Sequence, residues 1–251
     1  MNIKNNTVLI TGGATGIGFS LAEALVKNGN EVIICGRRRS KLEEAKHKLP
    51  QIHVRACDVS KETGHKALFN WVKDNFKDFN VLINNAGIQR MVDLTKGVRD
   101  LTGGENEIET NLAAPIYLSA YFIPLLMKQK EAAIINVSSG LAFVPIASMP
   151  VYCATKAAIH SFTMSLRHQL KDTSIKVFEI VPPTVDTDLG KGSIEEEEEA
   201  WNRGIPPAEV AKAAIISLEK DEYEIVVGEA QGLVAGSRKD PEGKFKSLNE
   251  W

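Results

Sequence analysis

The chain alternates short apolar runs with longer segments whose apolar residues recur at helical spacing. Most runs lack the polar alternation of a half-exposed strand, which is typical of parallel strands covered on both faces. These runs lie at residues 7–10, 31–35, 52–56, 81–83, 133–137, 175–181 and 224–227. The helical segments lie at residues 19–28, 41–48, 62–76, 112–128, 152–171 and 207–219.

Three local signals place helix ends. Gly29 follows the segment 19–28 and suits the position after a helix C-terminus. Ser40 and Glu43 have the spacing of a capping box for the helix at 41–48. Pro207 suits the first turn of the helix at 207–219.

The repeated order of strand, helix and strand predicts the fold class α/β. We expect a single-domain Rossmann-like fold over residues 1–251, with a doubly wound parallel sheet of about seven strands and helices on both faces. Five consecutive glutamates at 195–199 follow the sixth predicted strand. They indicate a polar insertion, at about 187–206, near the C-terminal edge of the sheet.

The composition excludes several classes of protein. The 251 residues include 43% hydrophobic and 25% charged residues, and the net charge of −2 gives no electrostatic case for nucleic acid or a membrane surface. The apolar stretch at 112–127 is too short to span a membrane. The three cysteines, Cys35, Cys57 and Cys153, are expected to be free thiols, and the scattered histidines predict no metal site. We expect a soluble cytoplasmic protein.

A glycine-rich turn joins the first predicted strand to the first helix. Residues 7–18 read TVLITGGATGIG, with Gly12, Gly16 and Gly18 at the turn. Glycines there permit a tight turn, backbone approach to a pyrophosphate, and close packing of helix on strand. The turn therefore predicts dinucleotide binding, against the alternative of a purely structural turn.

The spacing of this turn resembles the T-G-x-x-x-G-x-G signature of the short-chain dehydrogenase/reductase (SDR) family. Asn84-Asn85-Ala86-Gly87 matches the family's N-N-A-G motif, and Asp58-Val59 matches a pair that contacts the adenine. The resemblance covers residues 7–219. It is closest to the subgroup of DltE-type oxidoreductases, on the run VYCATKAAIHSF at 151–162 and the pair Pro182-Pro183.

The resemblance implies a nicotinamide cofactor and the residues that hold it. Pro183 replaces the usual glycine of the family's P-G-x-V-x-T segment, which fixes φ and removes a backbone donor. The implied cofactor-binding residues are Gly12, Thr15, Gly16, Ile17, Gly18, Arg37, Arg38, Asp58, Val59, Asn84, Ala86, Gly87, Tyr152, Lys156, Pro182, Val185 and Thr187. The insertion at 187–206 matches the family's substrate lid.

The end of the second predicted strand favours NADP(H). An NAD enzyme usually has an acidic residue there for the ribose 2′-hydroxyl, but Gly36 is followed by Arg37 and Arg38. Arginine binds a 2′-phosphate through charge-assisted hydrogen bonds. Thr15 stands where NADP-preferring relatives often have a basic residue, so NAD(H) use remains an alternative.

A second set of residues has the chemistry of carbonyl reduction. Tyr152 and Lys156 are four residues apart on one face of a predicted helix, and Ser139 follows a buried strand. Tyrosine can donate a proton, a nearby ammonium favours its phenolate, and a serine hydroxyl can polarise a carbonyl. Asn111, in ETNLAAP, matches the family's catalytic asparagine, which holds a water of the proton relay.

The sequence therefore predicts an NADP(H)-dependent oxidoreductase that acts on a small-molecule carbonyl or secondary alcohol. The alternatives are an NAD-preferring or dual-specific dehydrogenase and a non-catalytic protein that senses the cofactor. The resemblance implies a homodimer or homotetramer, assembled through the helices at 112–128 and 152–171. The candidate substrate-lining residues are mostly apolar: Gln89, Leu141, Phe143, Met149 and Leu189.

Overall fold

The computed structural model describes residues 1–189 and 204–250. Its strands form one parallel sheet in the order β3-β2-β1-β4-β5-β6-β7. The strands are β1 (Thr7–Thr11), β2 (Glu31–Gly36), β3 (His53–Ala56), β4 (Phe79–Asn84), β5 (Ala132–Val137), β6 (Ile175–Val181) and β7 (Glu224–Val226). The predicted Rossmann-like α/β class, with seven strands, is confirmed.

The helices cover both faces of the sheet. They are α1 (Gly16–Lys27), α2 (Arg39–Lys48), α3 (Glu62–Asn75), α4 (Val98–Thr102), α5 (Ala114–Leu126), α6 (Pro150–Gln169), α7 (Pro207–Glu219), α8 (Ala230–Lys239) and α9 (Pro241–Asn249). Two short 3₁₀ turns lie at Leu94–Lys96 and Gly140–Ala142, and a π-helical turn lies at Glu109–Ala113. In the described part of the chain, no helix combines the length and apolar character that a membrane span requires.

Alternate residues of each central strand point to opposite faces, which produces two apolar layers. Ile10 of β1 packs in one layer with Leu21 of α1 and Val210 of α7. Leu9, its neighbour on β1, packs in the other layer with Phe122 of α5 and residues of α3 and α6. The two layers account for the continuous apolar runs in the sequence.

Two of the three predicted helix ends are confirmed. Gly29 adopts a φ of +80°, and the N–H of Asn30 reaches back to the carbonyl of Leu25, which closes α1. Pro207 is the first residue of α7. The predicted capping box at Ser40 is wrong. Helix α2 begins at Arg39 and Arg38 is its N-cap residue, so Ser40 lies inside the first turn and does not cap the helix.

Several elements differ from the sequence pattern. Helix α1 begins at Gly16 rather than at residue 19, and the segment predicted as one helix at 112–128 is a π turn followed by α5. Helices α8 and α9 were not predicted. Ala230 and Val234 of α8 pack against Val181 at the end of β6, and this burial stabilises a segment of weak helical pattern.

The predicted insertion at 187–206 is described only at its two ends. A short parallel bridge between Val185 and Ile205 joins these ends. The glutamates at 195–199 lie outside the described residues.

Candidate active site

The predicted site residues converge at the carboxyl ends of the central strands. The strand order reverses between β1 and β4, and in open parallel sheets the crevice at such a point is the usual ligand site. The glycine turn follows β1, the N-N-A-G segment follows β4, and Ser139 and Pro182 follow β5 and β6. The fold therefore brings segments far apart in sequence to one edge.

The glycine turn has a backbone that larger residues could not adopt. Gly12 and Gly16 have φ values of +64° and +54°. A Cβ on Gly16 would lie 2.9 Å from Cγ2 of Thr187, and a Cβ on Gly18 would lie 2.5 Å from Nδ2 of Asn85. The turn thus forms an open cradle at the N-terminus of α1, where backbone N–H groups favour a phosphate. Thr15 and Ile17 lie within this cradle.

The N-N-A-G segment ties β4 to its neighbours. Asn84 is buried and donates to Oδ1 of Asn136 (2.9 Å) and to Oγ of Ser119 (3.3 Å). Its side chain therefore braces the sheet, whereas the sequence predicts a cofactor contact at this position. The Ala86 N–H donates to Oγ1 of Thr11 at 3.0 Å, which holds the segment beside the glycine turn.

Gly87 lies between two of the predicted catalytic residues. A Cβ at this position would be 3.5 Å from Oδ1 of Asn111 and 3.6 Å from Nζ of Lys156. The absence of a side chain at Gly87 therefore leaves open the space beside the lysine ammonium.

The basic residues after β2 have partners on the protein itself. Nη1 of Arg37 lies 2.7 Å from a carboxylate oxygen of Glu105. Nη2 of Arg38 donates to Oγ1 of Thr15 at 3.4 Å, so this guanidinium lies beside the glycine turn. The Asp58 carboxylate accepts two hydrogen bonds from Ser60, and Val59 next to it is buried.

Tyr152 and Lys156 are both buried on one face of α6. Nζ of Lys156 lies 5.7 Å from the centroid of the Tyr152 ring and donates to the carbonyl of Val137 at 2.9 Å. Ser139 is the residue before the 3₁₀ turn, and its hydroxyl accepts a hydrogen bond from the N–H of Leu141. The predicted tyrosine, lysine and serine are therefore neighbours.

Burial shifts the two proton-carrying groups in opposite directions, because it disfavours both charged forms. It raises the pKa of Tyr152 to about 12, with the neighbouring Ser139 hydroxyl acting to lower it. It lowers the pKa of Lys156 to about 8, with the Glu179 carboxylate acting to raise it. At neutral pH the site therefore holds a neutral phenol beside a mostly protonated lysine.

Asn111 lies in the π-helical turn that precedes α5. Its Oδ1 accepts the N–H of Ile88 at 2.8 Å, and its Nδ2 donates to the carbonyl of Ile88 at 2.8 Å and to Oγ1 of Thr155 at 3.2 Å. The side chain thus fixes the segment after Gly87 against α6. Single π turns occur often at functional sites.

Glu107 is a site residue that the sequence analysis missed. It is buried, lies one turn before Asn111, and accepts the N–H of Arg90 at 3.1 Å through Oε1. Burial raises the pKa of its carboxyl group. Glu107 and Asn111 together hold the segment 88–90. The only sequence signal for Glu107 was its position four residues before Asn111. Because Glu107 ends the polar run GGENE at 103–107, the sequence pattern suggests a surface residue there.

The remaining predicted residues border the same crevice. The Pro182 carbonyl accepts the N–H of Gly140, and Thr187 lies against Gly16. Val185 forms the bridge to Ile205. Among the candidate substrate-lining residues, Met149 is buried, and its sulfur lies 2.8 Å from Nε2 of Gln89. Leu141 packs in the same cluster as Met149, whereas Phe143 packs against α8. Leu189 is exposed.

Sequence comparisons show which known proteins this chain resembles. The short chain dehydrogenase family model matches residues 6–198. The chain is 49% identical over 249 residues to a protein of Bacillus subtilis named uncharacterized oxidoreductase DltE, covering 99% of this chain and 98% of that one.

Two solved structures share the fold. A short-chain dehydrogenase/reductase from Burkholderia phymatum, in complex with NAD, has a TM-score of 0.83 and 20% identity, covering 95% of this chain and 93% of that chain. A short-chain dehydrogenase from Burkholderia cenocepacia, in complex with NADP, has a TM-score of 0.81 and 26% identity, covering 99% of each chain. The match of the family model over most of the chain shows that this protein belongs to the short-chain dehydrogenase family and is an oxidoreductase.

Proposed function

We propose that this protein is an NADP(H)-dependent oxidoreductase that reduces the carbonyl group of a small molecule to a secondary alcohol. The observation that carries the proposal is the pair of buried side chains, Tyr152 and Lys156, beside the open space at Gly87. A proton donor and a cation at a cofactor crevice are what carbonyl reduction requires.

The residues present fit a dinucleotide. The glycine turn is a cradle that a Cβ would fill, and Arg38 lies beside it at Thr15. We assign the pyrophosphate to Gly12, Gly16 and Ile17, the adenosine half to Arg37, Arg38 and Asp58, and the nicotinamide half to Gly87, Lys156 and Thr187. When bound, NADPH supplies the hydride that a carbonyl carbon accepts.

Tyr152 donates the proton. With a pKa of about 12, its phenol stays protonated at neutral pH, which is the form needed for reduction. The ammonium of Lys156, with a pKa of about 8, stabilises the phenolate that remains after the transfer. The hydroxyl of Ser139 polarises the substrate oxygen.

Asn111 and Glu107 support this set by position. Their hydrogen bonds to the segment 88–90 hold the chain after Gly87 and keep the space beside Lys156 open. The resemblance also assigns a relay water to Asn111, which we retain as part of the proposal.

The assembly and location are further parts of the proposal. Large apolar side chains on both helices are more than half exposed: Tyr117 on α5, Met127 just after α5, and Met164 on α6. This exposure supports a homodimer or homotetramer that buries these helices. The free thiols of Cys35, Cys57 and Cys153 suit a reducing, cytoplasmic compartment. We expect a small, largely apolar substrate.

One observation favours a second function, a dual-specific dehydrogenase. The Arg37 guanidinium already pairs with Glu105, so a 2′-phosphate must share or displace that carboxylate. Arg38 keeps NADP(H) the favoured cofactor.

Turnover of NADPH with a panel of aldehydes and ketones tests the proposal, using the Y152F variant. We expect Y152F to bind NADPH as the wild type does but to lose about 10²- to 10⁴-fold in kcat, the usual contribution of a general acid. The matched control is Y117F, because Tyr117 is 53% exposed on α5. Equal turnover by Y152F and Y117F would contradict the proposal.

A further inference from the structure

A row of polar residues crosses the centre of the sheet at right angles to the strands. Asn84 pairs in register with Asn136, Asn136 with Glu179, and Glu179 with Glu224. Asn136 donates to Thr163 of α6, and Asn84 donates to Ser119 of α5. The row therefore lies under α5 and α6, on the face opposite to the glycine-turn helix α1.

Glu179 is the buried charge of this row. The residue is 1% exposed. Its Oε2 lies 2.8 Å from Nδ1 of His160, and its Oε1 has no hydrogen-bond partner among residues 1–189 and 204–250. A half-satisfied buried carboxylate is destabilising, so its retention calls for a reason other than packing.

The reason lies on the facing helix. Tyr152, Lys156 and His160 follow one another at intervals of four residues and share one face of α6. Lys156 is held at the carbonyl of Val137, which pairs in register with Ile180, the residue next to Glu179. Glu179 is therefore next on β6 to the residue opposite Val137, and its carboxylate contacts the histidine one turn along α6 from Lys156. The negative charge of Glu179 acts to raise the pKa of Lys156.

We propose that Glu179 and His160 form a buried charge pair that sets how far Lys156 stays protonated. Glu179 is then a positioning residue, which acts through the lysine and does not touch the substrate. The inference rests on the proposed function insofar as Lys156 serves the reaction, but the electrostatic coupling itself does not depend on the reaction.

Charged groups near the pair lie on β7, α8 and α6. His160 faces Glu179 of β6, Glu224 of β7 and Arg238 of α8, while Lys156 faces Glu179 and Tyr152. The hydrogen bond that His160 donates to the Glu179 carboxylate raises the pKa of His160, so the imidazole is charged at higher pH than usual. A charged His160 offsets the Glu179 carboxylate, and a neutral one leaves the carboxylate free to act on Lys156.

Neutral substitutions of the two partners should therefore have opposite effects. E179Q removes the negative charge, so Lys156 loses its proton at lower pH than in the wild type. H160Q keeps a donor to Glu179 but removes the positive charge, so Lys156 keeps its proton to higher pH. A purely structural pair would not give shifts of opposite sign.

The coupling can be measured without turnover, from urea unfolding between about pH 7 and pH 10.5. Because the folded pKa of Lys156 is about 8 and its ordinary value is 10.5, the unfolded chain binds more protons between these values. The stability contributed by Lys156 therefore rises with pH across this window. Each protein is also measured with the additional substitution K156Q. Subtracting that curve of stability against pH from the curve of the same protein with Lys156 isolates this rise.

Compared with the wild type, we expect the rise in stability to begin about 1 pH unit lower in E179Q and at higher pH in H160Q. The reason is that a nearby opposite charge shifts a pKa by about one unit or more. His160 is partly exposed, so H160Q tests the proposal even if E179Q does not fold. Curves that coincide with the wild type, or that shift in the same direction, would overturn it.

The alkaline limb of NADPH-dependent turnover should shift in the same two directions. Shifted stability curves without any turnover would refute the proposed function and leave the charge pair standing. Turnover with unshifted stability curves would refute the charge pair alone.

A divalent cation is the competing explanation for this cluster, since ligand atoms of His160, Glu179 and Glu224 lie within 4.8 Å of one another. Arg238 already binds Glu224 at 2.7 Å, and His160 already binds Glu179. We therefore expect Zn²⁺ to leave the melting temperature unchanged. A rise with Zn²⁺ that H160Q abolishes would overturn the charge-pair proposal in favour of a metal site.

Discussion

Arg37 and Glu105 form a salt bridge of 2.7 Å that joins the end of β2 to the segment before the π turn. The two residues are 68 positions apart in the chain. In the proposed function, Arg37 is one of two guanidinium groups available to the 2′-phosphate of NADP(H). Glu105 therefore competes with the cofactor for this group and adds a negative charge near the phosphate.

Removing the Glu105 charge should strengthen NADPH binding. Because an exposed ion pair contributes about 1 kcal/mol or less, we expect E105Q to lower the Kd for NADPH about two- to fivefold and to leave the Kd for NADH unchanged. Calorimetric titration of both cofactors measures this effect. E62Q is the control, since Glu62 is an exposed glutamate paired with Lys66 on α3. An unchanged or weakened NADPH affinity in E105Q would show that Arg37 does not meet the phosphate.

Gly16 should be essential for cofactor binding. An alanine there would have to adopt a φ of +54° with its Cβ 2.9 Å from Thr187, so the turn and the Thr187 segment would both move. We expect G16A to weaken NADPH binding by about tenfold or more, as a loss of about 1.4 kcal/mol implies.

The matched control for Gly16 is Gly232 of α8. A Cβ at Gly232 meets no atom within 4 Å, and alanine is favoured in a helix by about 0.5–1 kcal/mol. G232A should keep full NADPH affinity and unfold at a slightly higher temperature. Equal cofactor affinity in G16A and G232A would contradict the placement of the pyrophosphate.

Glu107 should stabilise the site as a hydrogen-bond acceptor and not as a charge. E107A leaves the partly buried N–H of Arg90 without its acceptor, which costs about 1 kcal/mol or more. Each kcal/mol corresponds to a Tm change of about 2–4 °C in a chain of this size. E107A should therefore lower the Tm measurably by calorimetry.

The isosteric E107Q separates the two roles of this side chain. Burial raises the pKa of the Glu107 carboxyl group, because it penalises the charged form. Glutamine keeps an acceptor and removes the charge, so E107Q should be at least as stable as the wild type. A loss of stability in E107Q equal to that in E107A would show that the negative charge is required.

Reduction should weaken as the pH rises through about 8. Over this range Lys156 loses its proton, whereas Tyr152, with a pKa of about 12, keeps its own. The neutral lysine cannot stabilise the phenolate, so kcat should fall on the alkaline side. K156M should have low activity at every pH and lack this limb. A wild-type kcat that stays constant to pH 10 would contradict the role of Lys156.

The sheet was predictable because its signal is local. Each central strand is a mostly apolar run whose side chains pack on both faces of the sheet. The glycine turn directly follows β1, Ser139 follows β5, and Tyr152 lies near the start of the next helix, α6. Parallel strands bring their carboxyl ends to one edge, so the placement of the glycine turn and Ser139 at that edge followed from the strand order.

The C-terminal helices were not predictable in this way. Residues 230–250 contain three glycines and Pro241, and α9 has only Phe245 and Leu248 as large apolar residues. Helix α8 is stabilised by tertiary packing, since Ala230 and Val234 are buried against the end of β6. Intrinsic propensity is outweighed here by contacts that no local window contains.

The role of each charged residue depends on distant partners for the same reason. Glu179 lies in an apolar strand, and the sequence pattern gives no sign of a role for it. Its pairing with His160 is visible only in the fold. The position of Arg37 in the sequence predicts a phosphate ligand, and its pairing with Glu105 is visible only in the fold. Pairings of this kind are the basis of the cofactor preference and the lysine protonation that we propose.

The central claim is tested most directly by calorimetric titration of the purified protein with NADPH and NADH side by side, repeated with R37A/R38A. We predict that NADPH binds more tightly, and that the double variant loses this preference while it keeps its affinity for NADH. Preference for NADH in the wild type, an unchanged NADPH preference in R37A/R38A, or binding of neither cofactor would contradict the account.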